Sequence, residues 1–246
     1  MIFKRNIIGY KQMKYLDEYD GIVDADSSDD AAVSVEKLEI LLAEAQKKLD
    51  GLAPDYVPLE RAEILVRMGG TLVDLQRGEE AFARAKEVFD IFTKTQYWDG
   101  AVQACDVMYQ ADQPDSMAAL GQGVWIAVTF PVDPELTVNM LNHIVEETPN
   151  DSDGAAIAAV TAHYVVDLRT KDKQKENLEF FTHNLIASVA RRHSQVENQD
   201  QFDYWFNKLE LNDPQLFLPR LRNVVDVMVQ DDWWIDKEAI WASMPH

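Results

Sequence analysis

The sequence of 246 residues predicts an all-α protein of about ten or eleven helices. From Ser34 onward, apolar residues recur at spacings of three and four, and helix start and stop signals follow one another at regular intervals. No segment of useful length alternates apolar and polar residues with the period of two that is typical of a half-buried strand. Hydrophobic residues make up 47% of the chain, which is enough for a folded core.

The first half of the chain contains five predicted helices. Gly51 ends the first helix, Pro58 opens the second from a position where its missing N–H costs nothing, and Gly78 stops the second. Asp99 stands where it can cap the fourth helix, and Ser116 starts the fifth. The predicted ranges are 34–50, 58–77, 79–92, 97–112 and 116–130.

The second half repeats one start signal twice. Asp133-Pro134 and Asp213-Pro214 each combine a capping carboxylate with a proline at the first helical position. Pro219 then predicts either a kink or a later start for the helix that follows Asp213. The other predicted ranges are 134–147, 155–168, 173–192 and 200–209, and a short last helix lies within 236–244.

Charge divides the chain into an arm and a domain. Residues 1–33 begin basic and turn strongly acidic, so we expect a charged, poorly ordered N-terminal arm or a docking tail, followed by a single helical-repeat domain over 34–246. The formal net charge is -20, which argues against binding to nucleic-acid phosphates and favours either solubility or a basic partner.

Compartment and membrane signals are few. Cys105 is the single cysteine, so a disulfide within the chain and a cysteine-built zinc site are excluded, and a reducing, cytoplasmic location fits. The longest nearly apolar stretch, 117–130, is too short to cross a bilayer, so we expect no membrane span.

Small residues recur on successive helices at one spacing. "GEEAFARAKEVFDI" carries Ala81 and Ala85, and "YWDGAVQACDVMYQ" carries Ala101 and Cys105 at the same separation. We interpret both helices as second arms of helical hairpins, because small groups on one face let a neighbouring backbone come close.

Glycines mark the predicted first arms. "ILVRMGGTLVDLQRG" and "SMAALGQGVWIAV" each place a glycine after an apolar residue, at Gly69 and Gly121. Together with Ala81, Gly69 has the glycine-to-alanine separation of a tetratricopeptide repeat, and Pro149 matches that family's closing proline. Roughly 62–151 therefore resembles a degenerate tetratricopeptide array, which implies antiparallel hairpins stacked as an α-solenoid.

The sequence contains no recognisable catalytic or metal-binding constellation. The glycine pairs lack the spacing of dinucleotide-binding and phosphate-binding loops, and the two Glu-x-x-His pairs of a di-iron bundle are missing. We interpret His143 and His163 as interior or interface histidines, His183 and His193 as surface residues, and Cys105 as a buried apolar residue. No catalytic residue, metal or cofactor is therefore expected.

These observations favour a non-enzymatic adaptor or assembly factor that holds a protein or peptide in a concave helical groove. The resemblance places candidate groove residues on the first arms, and the tryptophans of "VQDDWWIDKEAIWASMPH" indicate either a capping helix or a docking element. The candidate partner-binding residues are Arg67, Thr71, Asp74, Gln122, Trp125, Trp233 and Trp234. An all-α enzyme or metal-binding protein is the alternative, and an acidic mimic of nucleic acid is a third hypothesis.

Overall fold

The computed structural model describes residues 28–53 and 57–243, and these residues form eleven α-helices and no β-strand. The fold is all-α and solenoid-like, as the sequence predicts. Most of the predicted N-terminal arm lies outside the described residues, although 28–33 belong to the first helix. The helices are α1 (Ser28–Asp50), α2 (Pro58–Asp74), α3 (Gly78–Lys94), α4 (Trp98–Gln110), α5 (Ser116–Thr129), α6 (Pro134–Glu147), α7 (Asp153–Arg169), α8 (Asp172–Ser194), α9 (Gln199–Lys208), α10 (Pro214–Val229) and α11 (Lys237–Ser243).

Helices α1 to α8 each pack against the next helix in the chain, and they form two rows. Helices α2, α4, α6 and α8 make the even row, in which each helix also contacts the next member of the row. Helices α3, α5 and α7 make the odd row, in which no such extensive contact links the members. Short connections produce this alternation, because each helix turns back on the one before it.

Helix α10 returns to the array and packs between α5 and α7. Its buried residues are four apart, at Phe217, Leu221, Val225 and Val229, so they form one apolar face. A Cβ added at Gly121 of α5 would lie 2.5 Å from Cγ2 of Val229, so only glycine allows this approach. The chain therefore fills the space between two helices of the odd row with its own C-terminal region.

The repeat-like contact at Gly69 is present. A Cβ there would lie 2.8 Å from Cγ1 of Val107 on α4 and 3.5 Å from the carbonyl oxygen of Ala81 on α3. Gly69 therefore lets α2 pack closely against both neighbours, as its separation from Ala81 predicts.

The predicted phase of the hairpins is wrong beyond the first one. The sequence interpretation made α4 a second arm and α5 a first arm, but α4 lies in the even row with α2, and α5 lies in the odd row, against α10. Close packing by small residues occurs on both arms here, so the alanine and glycine patterns do not tell the arms apart.

Several predicted helix signals act differently in the structure. Asp99 does not cap α4; its Oδ1 accepts a hydrogen bond from the backbone N–H of Asp133, 2.9 Å away. Gly78 does not end α2 but begins α3, because Gln76 adopts the left-handed conformation that reverses the chain. Pro219 lies inside one helix that begins at Pro214, on an exposed side where the carbonyl that it leaves unpaired can reach water.

Polar contacts fix the ends of neighbouring helices. The guanidinium of Arg169, at the end of α7, donates hydrogen bonds to the carbonyls of Ala127, Val128 and Val132, 2.8 to 3.3 Å away. These bonds satisfy the last carbonyls of α5 and the turn that follows it. Within the described ranges, none of the helices is long and apolar enough to span a membrane.

His193 is largely buried, contrary to the surface position that we predicted. Its side chain is 12% exposed, and its ring lies between Asp153 of α7 and the indole of Trp205 of α9. Arg220 of α10 pairs with the same Asp153 at 2.8 Å. This network therefore joins helices α7 to α10.

Candidate functional site: strap groove and polar seam

Four of the seven predicted binding residues meet at one place in the structure. The segment 231–236, which we call the strap, leaves α10 without helical structure and crosses α5 towards α3. It carries Trp233 and Trp234, and it lies on Gln122 and Trp125 of α5. Together with Lys86 and Phe89 of α3, these two α5 residues form the strap groove.

Gln122 forms the polar floor of the strap groove. Its side chain is fully buried, its Nε2 donates to the carbonyl of Asp232 at 3.1 Å, and its Oε1 accepts from the N–H of Trp234 at 2.8 Å. In an extended chain, the C=O of one residue and the N–H of the second residue after it point to the same side. One amide side chain therefore pairs with the strap as a neighbouring strand would.

Aromatic and cationic side chains form the walls of the strap groove. The ring of Trp234 meets Phe89 edge to face at a centroid distance of 5.8 Å, and the Nζ of Lys86 lies 2.8 Å from the centre of the indole. Trp233 meets Trp125 edge to face at 6.2 Å. Both strap tryptophans keep part of their surface in solvent. The pair lies against α3 and α5, in the middle of the array, and so does not cap the last hairpin.

The other three predicted residues do not belong to this groove. Arg67, Thr71 and Asp74 lie on α2, in the even row, whereas Gln122 and Trp125 lie on α5, in the odd row. Thr71 is buried and its hydroxyl donates to the carbonyl of Arg67, while Arg67 and Asp74 are exposed. The sequence interpretation treated α2 and α5 as equivalent first arms, but they lie in different rows, so their candidate residues are separated.

A second polar cluster, which we call the polar seam, lies between α4 and α6 of the even row. His143 is 1% exposed, and its Nε2 lies 2.9 Å from Oδ1 of Asp106, which is fully buried. Its Nδ1 lies 3.5 Å from Oε2 of Glu146. The seam consists of Asp106 and Tyr109 on α4 and of Asn139, His143, Glu146 and Glu147 on α6.

Electrostatics hold His143 in its protonated form. Burial alone would lower the pKa of His143, but hydrogen bonds and charge from Asp106 and Glu146 outweigh it and raise the pKa to about 9. Burial and the neighbouring Glu147 raise the pKa of Tyr109, whose hydroxyl donates to Oε1 of Glu147 at 2.7 Å. The seam is therefore a fixed imidazolium held by carboxylates.

The seam encloses the ring of His143. Both nitrogens of the His143 ring face carboxylates, so neither is placed to take a proton from a substrate. His143 is an interior residue, as predicted, and Cys105 is fully buried with its pKa raised by burial. Among the described residues, no group of three His, Cys, Asp or Glu is arranged to hold a metal ion.

Sequence reasoning missed Asp106 although a signal was present. Asp106 stands in the apolar helical stretch "QACDVM", and a carboxylate at such a position needs a buried partner. His143 and Glu146 are three residues apart and so share one face of α6, but nothing in the sequence links them to α4. Comparison with protein-family models, curated proteins and solved structures found no match for this chain.

Proposed function

We propose that this chain is a non-enzymatic adaptor that binds a basic segment of a partner protein along the even row, at the polar seam. The array is a divergent, tetratricopeptide-like stack of hairpins in this proposal, and the contact between Gly69 and Ala81 supports it. The seam is the observation that carries the proposal, because it fixes charged groups on α4 and α6, with which α9, α10 and the described part of α11 make no extensive contact.

The two rows differ in how close their helices lie. Members of the even row contact one another directly, whereas α10 separates α5 from α7 in the odd row. A stack with closer spacing on one side curves towards that side, so the even row faces inward. Concave surfaces of helical arrays are extended and suit a peptide or a helix of a partner.

Charge indicates the chemistry of the partner. Glu146 and Glu147 are exposed at the end of α6, and the buried Asp106 and His143 neutralise each other beneath them. The net charge of the whole chain is -20, so the long-range field also attracts basic segments. Lysine-rich or arginine-rich segments are therefore the expected ligands.

A quantitative capture experiment with charge variants tests this proposal. Wild-type protein, the variant Glu146→Lys with Glu147→Lys, and the control Glu197→Lys with Glu210→Lys, which lies outside the helices of the even row, are used as baits in native extract. All four positions are exposed, and both variants change the net charge equally. A protein partner retained at equal stoichiometry by wild type and control, and lost from the seam variant, supports the proposal. If no stoichiometric protein partner is captured, or if the seam variant retains it, the proposal is wrong.

A further inference from the structure

The strap groove has features of a peptide-binding site rather than of an ordinary core contact. Its buried polar group, Gln122, bonds to main-chain atoms of the strap and to none of its side chains. A groove that pairs with backbone accepts any segment that is extended at that point, while its walls select side chains. The strap thus occupies this groove as a ligand would.

The walls of the groove favour an acidic residue followed by aromatic ones. Lys86 lies over the ring of Trp234, and its Coulomb interaction with Asp232 is favourable. Phe89 and Trp125 offer ring edges and faces to the two tryptophans. Tryptophan contacts of this kind dominate the binding energy of many interfaces.

The connections of the strap to the rest of the chain are weak. At its start, Gln230 has φ 54° and ψ −125°, a conformation that residues with a side chain rarely adopt. At its end, α11 makes no extensive contact with any other helix of the described chain; Ile240 packs against the core, and Lys237 lies 3.6 Å from Asp226 of α10 and over the ring of Trp233. Release of the strap therefore relieves strain at Gln230 and separates no pair of helices, but it withdraws Ile235, which is 8% exposed, from the core.

We infer that the strap groove is a binding site for an extended segment of a partner protein carrying an acidic residue followed by aromatic residues, and that the strap is an internal ligand. The strap occupies the site at an effective concentration on the order of millimolar, because it is tethered. To displace the strap, a partner segment must bind the groove more favourably than the tethered strap does at this effective concentration. The strap therefore sets the lowest affinity at which a partner segment can bind. This site lies in the odd row and is separate from the polar seam.

The experiment separates the strap from α10 in the folded, full-length protein. A specific protease site is inserted between Gln230 and Asp231, the folded protein is cut, and a fluorescent peptide of residues 231–243 is added. We expect the cut protein to keep its helical circular dichroism and to exchange its own fragment for the labelled peptide. Fluorescence anisotropy then gives a dissociation constant in the micromolar range, which is typical of a short peptide.

Peptide variants test the contacts without altering the fold. The peptide with Trp234→Ala is expected to bind about tenfold more weakly or worse, because it loses the contacts with Phe89 and Lys86. The peptide with Asp231→Ala serves as the matched control, and it is expected to bind like the unmodified peptide. In the protein, Gln122→Ala is expected to weaken binding by a similar factor, because the strap backbone loses both of its partners.

Four outcomes overturn the inference. The strap is structural if the cut protein unfolds when the fragment leaves, or if the fragment does not exchange. The site belongs to a second copy if the uncut protein forms dimers by exchanging straps as its concentration rises. Equal binding of the Trp234→Ala peptide removes the specificity claim. Charge reversal at Glu146 and Glu147 is expected to leave peptide binding unchanged, so this test and that of the proposed function can fail separately.

Discussion

The pair of Asp106 and His143 makes stability depend on pH, and Asp106→Asn should remove most of that dependence, leaving the part that Glu146 contributes. Folding raises the pKa of His143 from 6.5 to about 9, so protonation of this ring stabilises the folded state. This stabilisation is fully present below pH 6.5 and is lost as the pH rises through about 9. One unit of pKa difference corresponds to about 1.4 kcal/mol, so the raised pKa of His143 stabilises the folded state by about 3 kcal/mol below pH 6.5.

Asp106→Asn keeps the shape of the side chain and an oxygen acceptor but removes the charge. We therefore expect the variant to be less stable than wild type by up to about 3 kcal/mol at pH 6 and by less than about 1 kcal/mol at pH 9.5. Both values come from urea unfolding followed by tryptophan fluorescence at each pH. Asp200→Asn, which removes an exposed carboxylate on α9, is the control and should leave the pH dependence unchanged.

An equal loss of stability for Asp106→Asn at pH 6 and pH 9.5 would refute this reasoning. Such a result would show that the loss does not depend on the charge of the His143 ring, because the change would then affect the protonated and the neutral ring equally. Absence of any loss at pH 6 would show instead that the desolvation of both groups cancels their attraction. Titration of the His143 ring by NMR provides the independent check, with a midpoint near 9 expected.

Three further predictions concern packing and accessibility. Gly123→Ala should destabilise the protein by about 1–3 kcal/mol in thermal unfolding, because the new Cβ would lie 2.7 Å from Cβ of Cys105. Gly70→Ala is the matched control; its Cβ would meet no atom within 4 Å, so it should stabilise the protein by about 0.5–1 kcal/mol. If Gly70→Ala were the more destabilising of the two, the close packing of α4 with α5 would be contradicted. Arg169→Met should cost about 2–3 kcal/mol in urea unfolding, because the end of α5 loses its donors, and an unchanged midpoint would show that water replaces them. Cys105 should react with a soluble maleimide only in urea, since it is fully buried with its pKa raised; rapid labelling of the native protein, detected by mass spectrometry, would disprove this.

The sequence was sufficient for the helices but not for their contacts outside the hairpins. Helix periodicity and the Asp-Pro start signals predict α6 and α10 closely, since both depend on neighbours in the chain, and the structure confirms the caps at Asp133 and Asp213. The return of α10 between α5 and α7 is a long-range contact. An amphipathic pattern shows that a face is buried but not what buries it, so this return could not be predicted.

The candidate site was predicted in part for the same reason. Trp233 and Trp234 stood out by composition, and Gln122 was chosen from a repeat phase that proved wrong for α5, although it lies in the groove. Arg67 came from the same phase and lies in the other row. Asp106 was not chosen, because no local pattern indicated that α6 would bring His143 to it.

The packing of α10 against α5 is the basis of the account, because it separates the helices of the odd row and delivers the strap to its groove. Proton NMR tests it most directly, through the nuclear Overhauser effect between the methyl groups of Val229 and the α-protons of Gly121. A strong effect is expected, since the structure leaves no space for a Cβ between them. A well-resolved spectrum without that effect, in which Val229 contacts other residues, would contradict the account.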